Sequence, residues 1–284
     1  MIRQARIEDR EQIKALWMQA FEDDEASTDH YFALRHRDQN MLVDMEGGQL
    51  RAMLSMLPID LVMDKRILPA RYFFAIATCL SWRGQGISTK LILAAETLSQ
   101  EHGAAASVLV PAGAGLFNFY GKRGYSTEFY YRAERVTPDE LPVCPQEYHL
   151  LPVTGDAMYR LRGQAFAGSR LFLRWDIEAL DYIIASASAF GAPLLRFKTP
   201  TGEGYAYCES DGETMIVKEL ALAGITMPEA VAILHRQLKA KSYLLRLAGV
   251  ADGESGLIPF GMIKTFTPLP SVQGGVPYLS FAKD

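Results

Sequence analysis

Arg83-Gly84-Gln85-Gly86-Ile87-Ser88-Thr89 follows an apolar, β-prone run, Tyr72 to Leu80, and opens a helical stretch. Residues in this order can bind phosphate. The first-turn N–H groups of a helix have no intrahelical partner, and the helix dipole places partial positive charge at that end. An anion set there is held by main-chain donors. Gly84 and Gly86 permit the tight turn and bring backbone to a ligand with no Cβ in the way, and Arg83 can add a guanidinium donor. The loop contains no Gly-Lys-Ser/Thr, which excludes a P-loop, and no Gly-x-Gly-x-x-Gly, which excludes the dinucleotide fingerprint. Spacing alone leaves open a strand-to-helix turn that binds nothing.

Downstream, a short strand from Ala106 to Val110 leads to Phe119-Tyr120-Gly121-Lys122-Arg123-Gly124-Tyr125. By itself a tyrosine placed so reads as an aromatic helix residue in the core. The two segments together resemble the GNAT superfamily of N-acetyltransferases. Arg83 to Ser88 resembles its Arg/Gln-x-x-Gly-x-Gly/Ala loop, with Ser88 where Gly or Ala is usual and Leu80 where Pro is frequent. Phe119-Tyr120-x-Lys122-x-Gly124-Tyr125 resembles its Phe-Tyr-x-Lys-x-Gly-Phe ending. The resemblance implies acetyl-CoA as co-substrate and no metal. It implies a pyrophosphate held by Arg83, Gly84, Gln85, Gly86, Ile87, Ser88 and Thr89, and pantetheine amides paired with free backbone groups at Ala77, Thr78 and Leu80. Tyr120 then protonates the departing thiolate, and the acetyl group passes directly to a primary amine of a small molecule or peptide. The strand holds no carboxylate to deprotonate that amine. Asp24, Glu25, His30 and the terminal carboxylate of Asp284 are the candidates.

Several elements must position these residues. Ile2 to Ala5 reads as a strand. Ile13, Leu16, Trp17, Ala20 and Phe21 make one helical stripe, the acidic run Glu22 to Glu25 follows as a loop, and a second helical stretch is expected around Tyr31 to His36. Met41 to Asp44, Leu50 to Met63 and Ala70 to Leu80 read as strands, with Gly47-Gly48 as a hairpin turn. Gly86 to His102 is a helix carrying Ile87, Leu91, Ala94, Ala95 and Leu98 on one face, with Gly103 suited to its end. Phe129 to Val136 returns as a strand. The order βααβββαβαβ matches a mixed α/β GNAT fold around a mostly antiparallel sheet.

Residues 1–137 are therefore expected to form the catalytic domain, 138–148 a linker marked by Pro138, Pro142 and Pro145, and 149–284 a second, degenerate copy of the fold. In that copy Tyr205 to Glu209 and Thr214 to Val217 read as a hairpin around Asp211-Gly212. Met215 to Leu222, Pro228 to Lys239 and Tyr243 to Leu247 read as strand, helix and strand. Its turn, Leu222 to Glu229, lacks the Arg and the Gly-x-Gly; Pro228 removes an N–H and Glu229 sets a carboxylate at the helix start. Phosphate is not expected there. One live and one dead half resemble the enhanced-intracellular-survival acetyltransferases without their sterol-carrier-like domain. That likeness implies a terminal carboxylate, here Asp284, acting near Tyr120.

The chain has 284 residues, 49% hydrophobic and 22% charged, enough to bury a substantial core. Its formal charge of −4 argues against a nucleic-acid partner bound on a broad basic surface. Cys79, Cys144 and Cys208 form no CxxC, which suits a reducing cytoplasm, and the five histidines show no metal-ligand spacing. The charged N-terminus does not resemble a signal peptide, and no apolar run is long enough to span a membrane. A homo-oligomer is left open. An acyl-CoA-binding sensor without turnover is the alternative to an enzyme, and an aminoacyl or long-chain acyl transferase is a further rival.

Overall fold

A computed structural model describes residues 1–64, 66–248, 256–270 and 275–279. In chain order the elements are β1 (Ile2–Gln4), α1 (Arg10–Phe21), α2 (Glu25–Leu34), β2 (Met41–Glu46), β3 (Gln49–Met63), β4 (Arg66–Thr78), α3 (Ile87–Glu101), β5 (Ala106–Leu109), α4 (Ala114–Gly121), β6 (Ser126–Val136), β7 (His149–Leu151), α5 (Gly155–Ala165), β8 (Phe172–Arg174), α6 (Ile177–Phe190), β9 (Leu194–Lys198), β10 (Glu203–Asp211), β11 (Thr214–Ala223), α7 (Met227–Leu238), β12 (Ser242–Ala248) and β13 (Leu257–Thr265). They group into two compact units. The first comprises Met1–Asp60, Leu68–Ser126 and Met262–Leu269; the second comprises Leu61–Ile67, Thr127–Gly261 and Pro270–Asp284.

In the first unit β1, β2, β3, β4 and β5 neighbour one another in that order, and residues 262–265 of β13 complete the edge beside β5. β1–β2 and β2–β3 are antiparallel, and β4–β5 is parallel. Gly47 and Gly48 both take positive φ, 57° and 82°, as the tight turn between β2 and β3 requires. One sheet face packs on α3 through Leu54, Met56, Phe73, Leu91, Ile92 and Ala95. Aromatics from α1, α2 and β4 cluster separately: Trp17 stacks on Tyr31 at 4.5 Å between centroids and meets Phe74 edge-on at 5.4 Å.

The second helix differs from its expected limits. Asp24 accepts a hydrogen bond from the Ser27 N–H at 2.7 Å and so starts α2 at Glu25, while His36 lies beyond its end. Expected loop residue Glu25 is thus the first residue of a helix. Gly103 takes φ +76° just past α3, as its position after the helix suggests.

In the second unit β6, β12, β11, β10, β9 and β7 are neighbours in that order. β11–β12 is parallel, while β6–β12, β10–β11, β9–β10 and β7–β9 are antiparallel. α7 carries Ala230, Val231, Ile233 and Leu234 into a core with Phe197, Val217, Tyr243 and Leu245. β11–α7–β12 therefore repeats the connectivity of β4–α3–β5: a strand, a helix and a parallel strand alongside. α5 and α6 were not expected from the sequence. Thr154 caps the first by accepting from the Ala157 N–H at 3.2 Å, and Asp176 caps the second by accepting from the Ala179 N–H at 2.7 Å.

Candidate active site

β4 pairs with β5 only at Arg71 and Tyr72, opposite Ser107 and Val108, and then continues to Thr78. Beyond that pairing the two strands no longer share a register. Ala75 interrupts the strand with φ +52°, a conformation that costs an L-residue about 1–2 kcal/mol. Its effect is to break the alternation of faces. Tyr72 and Phe74 lie 6.3 Å apart, the latter joined to Trp17, while Phe73 and Ile76 both reach the α3 side. Such outliers persist only where the surroundings enforce them, and they concentrate at functional sites.

After Thr78 the chain makes a short turn, Leu80 to Trp82, and reaches the glycine loop. Leu80 was expected on the strand; it stands in this turn instead and is largely exposed. Gly84 and Gly86 take φ +78° and +73°, and Gly86 is the N-cap of α3 with no side chain capping the helix. A Cβ at either glycine would meet nothing within 4 Å. The loop is an open turn at a helix N-terminus, flanked by exposed Arg83, Gln85 and Lys90. Arg83 Nε donates to the Thr78 carbonyl at 3.2 Å, and Thr78 Oγ1 is buried with no hydrogen-bond partner. Uncapped amides, an unpartnered hydroxyl and open space beside the glycines fit an anionic, amide-bearing ligand.

Tyr120 enters the same core cluster as Ile87, Leu91 and Phe73, with Phe119 packed against it. Its ring meets Phe119 edge-on at 5.1 Å and Tyr125 at 5.8 Å. The ring is buried, yet the hydroxyl oxygen is not among the fully enclosed atoms and has no partner among the described residues. Burial pushes the phenol up to about 12, with Arg123 working against it. Arg123 is a site residue that motif reading passes over, because it falls on a variable position between Lys122 and Gly124. Its guanidinium lies 3.4 Å over the Phe119 ring, donates to the Phe119 carbonyl at 2.5 Å, and reaches Thr89 Oγ1 through Nε at 3.2 Å and Nη2 at 2.5 Å. It ties the helix bearing Tyr120 to the first turn of α3.

A second polar group supports Tyr125. Its hydroxyl shares a hydrogen bond with Ser107 Oγ at 2.8 Å, and burial raises its pKa far above the ordinary phenol range, with Glu96 adding to the rise. Glu96 is buried and accepts from Lys264 Nζ at 2.6 Å, and that ammonium sits 5.9 Å from the Tyr125 ring. Lys264 also packs where a Cβ at Gly124 would stand, 3.5 Å away. Sequence reasoning missed Lys264 because it arrives on β13, far along the chain. Local periodicity holds no record of such a partner.

The other candidates separate clearly. Cys79 donates from Sγ to the Leu50 carbonyl at 3.2 Å, and burial raises its thiol pKa, so it is a packed thiol rather than an activated one. Asp24 is held below the usual carboxylate range by the Ser27 backbone N–H that it caps. Asp23 accepts from Trp17 Nε1 at 2.8 Å. Glu25 is exposed at the start of α2, and His30 is half-buried within it. The Asp284 carboxylate lies outside the described residues. The chain leading toward it is docked within the second unit: Tyr278 and Leu279 are buried, and Tyr278 sits 4.3 Å from Phe166 between centroids. Among the described residues no group of three or more His, Cys, Asp or Glu could hold a metal, and no helix is long and apolar enough to cross a membrane.

Residues 1–127 match the sequence profile of the acetyltransferase (GNAT) domain. They form a GNAT acetyltransferase domain. No curated protein matches the sequence. Solved structures extend the likeness of fold beyond that domain. A conserved protein of unknown function from Enterococcus faecalis superposes with a TM-score of 0.76 at 15% identity, over 93% of this chain and 72% of its own. A GCN5-related N-acetyltransferase from Anabaena variabilis gives 0.75 at 15% identity, with the same coverage of 93% and 72%. Eis1 from Mycobacterium abscessus gives 0.70 at 14% identity, covering 93% of this chain and 73% of its own. At these identities the likeness is one of fold, and it spans nearly the whole chain.

The glycine turn of the GNAT domain and its counterpart in the second unit use glycine for opposite ends. Around Gly84 and Gly86 there is space. In the second unit, between β11 and α7, a Cβ on Gly224 would fall 2.4 Å from the Thr201 carbonyl oxygen, and one on Gly202 would fall 2.0 Å from that of Ala223. Backbone fills that turn. Glu229 also accepts from the Thr226 N–H at 3.0 Å, and these bonds to Thr226 hold its carboxyl below the ordinary range. A negative charge sits where an anion would need to be.

Proposed function

We propose that the GNAT domain moves an acetyl group from acetyl-CoA to a primary amine of a small molecule or peptide. The open, uncapped turn at Gly84 and Gly86 carries this reading, because its uncapped helix N-terminus and unobstructed backbone suit a diphosphate. When bound, acetyl-CoA supplies the acetyl group as a thioester. Arg83 and the main-chain donors from Gly84 to Thr89 hold the diphosphate, and the free edge of β4 at Ala77 and Thr78, with Leu80 beyond it, aligns the pantetheine arm. Backbone N–H groups near Thr78 face the acyl oxygen. Tyr120 gives its proton to sulfur as the C–S bond breaks. Holding both partners in one groove turns a bimolecular attack into an oriented one. With Asp24 committed to capping α2, Glu25, His30 or the Asp284 carboxylate takes the proton from the amine. The second unit, whose turn lacks the Arg and the Gly-x-Gly, is the non-catalytic half.

Calorimetric titration of the full chain with CoA, followed by a thiol-release assay over a broad amine panel, tests the reading. Saturable CoA uptake and amine-dependent thiol release are expected. No CoA uptake overturns it, and uptake without release by any amine favours an acyl-CoA-binding module instead.

Arg123 supplies a finer test. Charge-assisted hydrogen bonds contribute about 1.5–3 kcal/mol, and here they brace the first turn of α3 against α4. Arg123→Ala is expected to raise KM for acetyl-CoA roughly tenfold. Arg123→Lys recovers little of it, because an ammonium cannot both stack on Phe119 and bond Thr89 through two nitrogens. An unchanged KM would show that the brace plays no part in holding the co-substrate.

A further inference from the structure

The far end of α3 borders a different polar space. A cavity of about 230 Å³ lies in the first unit, with Arg71 of β4, Met56 of β3, Leu98 and Ser99 of α3, and Gln39 and Asn40 before β2 in its wall. The glycine loop opens α3 and this cavity abuts its last turns. The helix has 15 residues, so the two sites are about 20 Å apart.

Arg71 is the unusual member. Arg3, Arg10 and Arg51 each sit on a carboxylate, those of Asp9, Asp38 and Asp44. Arg71 is half-buried, and among the described residues its guanidinium has no hydrogen-bond or ion-pair partner. Burial alone moves its pKa, downward, with no carboxylate to offset it. No Asp or Glu lines the cavity. A desolvated guanidinium facing a cavity gains from an anion, and its planar fork fits a carboxylate through two parallel hydrogen bonds. The side-chain amide of Asn40 also has no partner among the described residues, whereas Ser99 Oγ is spent on the Ala95 carbonyl at 2.6 Å and the Gln4 amide on the Gln39 carbonyl at 2.9 Å. Met56 and Leu98 offer apolar wall. The carbonyl end of α3 carries partial negative charge, which disfavours a dianion such as phosphate.

We propose that this cavity binds a short-chain monocarboxylate, its carboxylate on the Arg71 fork and the Asn40 amide, its alkyl chain against Met56 and Leu98. The inference does not depend on acetyl transfer. Titrating the full chain with acetate, butyrate and hexanoate tests it, with hexanamide as neutral control, inorganic phosphate as competing anion, and each run repeated in saturating CoA. Hexanoate is expected to bind saturably, at least tenfold more tightly than hexanamide and phosphate, and equally well with CoA present. Arg71→Gln should weaken it at least tenfold and Arg71→Lys at least threefold. Equal binding of hexanamide, tighter binding of phosphate, displacement by CoA, or unchanged affinity in Arg71→Gln overturns the proposal. Should Arg71→Gln fail to fold, Leu98→Trp narrows the same cavity without touching the charge. It should abolish the gain of hexanoate over acetate, and retention of that gain overturns the proposal equally.

Discussion

Replacing Tyr120 with Phe should lower kcat for acetyl transfer by about a hundredfold or more, the scale of one positioned proton donor, while CoA affinity stays within twofold. The structure makes this a clean substitution. The hydroxyl has no partner among the described residues, so its removal orphans nothing, and the ring keeps its contacts with Phe119 and Tyr125. Stability should therefore hardly change. Steady-state thiol release together with CoA calorimetry separates the two quantities. A variant within threefold of the wild type would remove Tyr120 from the chemistry.

The raised pKa of Tyr120 sets the sign of the pH dependence. Burial favours the neutral phenol, whose pKa rises to about 12, so the proton-bearing form required of an acid dominates at every ordinary pH. No loss of rate from ionisation of Tyr120 is expected as pH rises from 7 to 10, and a break in that range belongs to another group.

Much of the site was legible because it is local. The glycine turn, the helix after it and the Phe119–Tyr125 segment are contiguous in sequence, and each contains its own cause: positive φ at Gly84 and Gly86, an apolar stripe on α3, aromatic residues on α4. Helix limits went wrong where a cap was read as loop, as at Asp24. α5 and α6 carried end signals of the same kind in Thr154, Asp176 and Gly191, the last at φ +71°. What local pattern cannot hold is pairing across long separations. Lys264 reaches Glu96 from β13, and the closing of the second-unit turn depends on Thr201 and Gly202 meeting Ala223 and Gly224. Arg71 shows the same limit in reverse: a strand arginine reads as a solvated charge until the fold reveals no carboxylate beside it.

Glu219→Gln should destabilise the second unit by about 3–5 kcal/mol, the cost of leaving a buried charge without its counter-ion. Along β11 Glu219 reads as an ordinary polar position, yet it is fully buried, and so is Arg162 of α5. Arg162 Nη1 donates to one oxygen of Glu219 and the Tyr205 hydroxyl to the other, while Arg162 Nη2 donates to the Leu173 carbonyl at 2.8 Å. The carboxylate holds the guanidinium in its charged form against a burial that favours losing the proton. Gln keeps the shape and removes the charge, so the loss measures electrostatics rather than a cavity. Urea unfolding followed by tryptophan fluorescence gives the magnitude. The triple variant Arg162→Met, Glu219→Leu and Tyr205→Phe should recover part of the stability, because it removes the buried charges and the hydroxyl together and leaves only the Leu173 carbonyl without its donor. A loss below about 1 kcal/mol in Glu219→Gln would mean that water reaches Arg162 in the folded chain, against the burial on which the expectation stands.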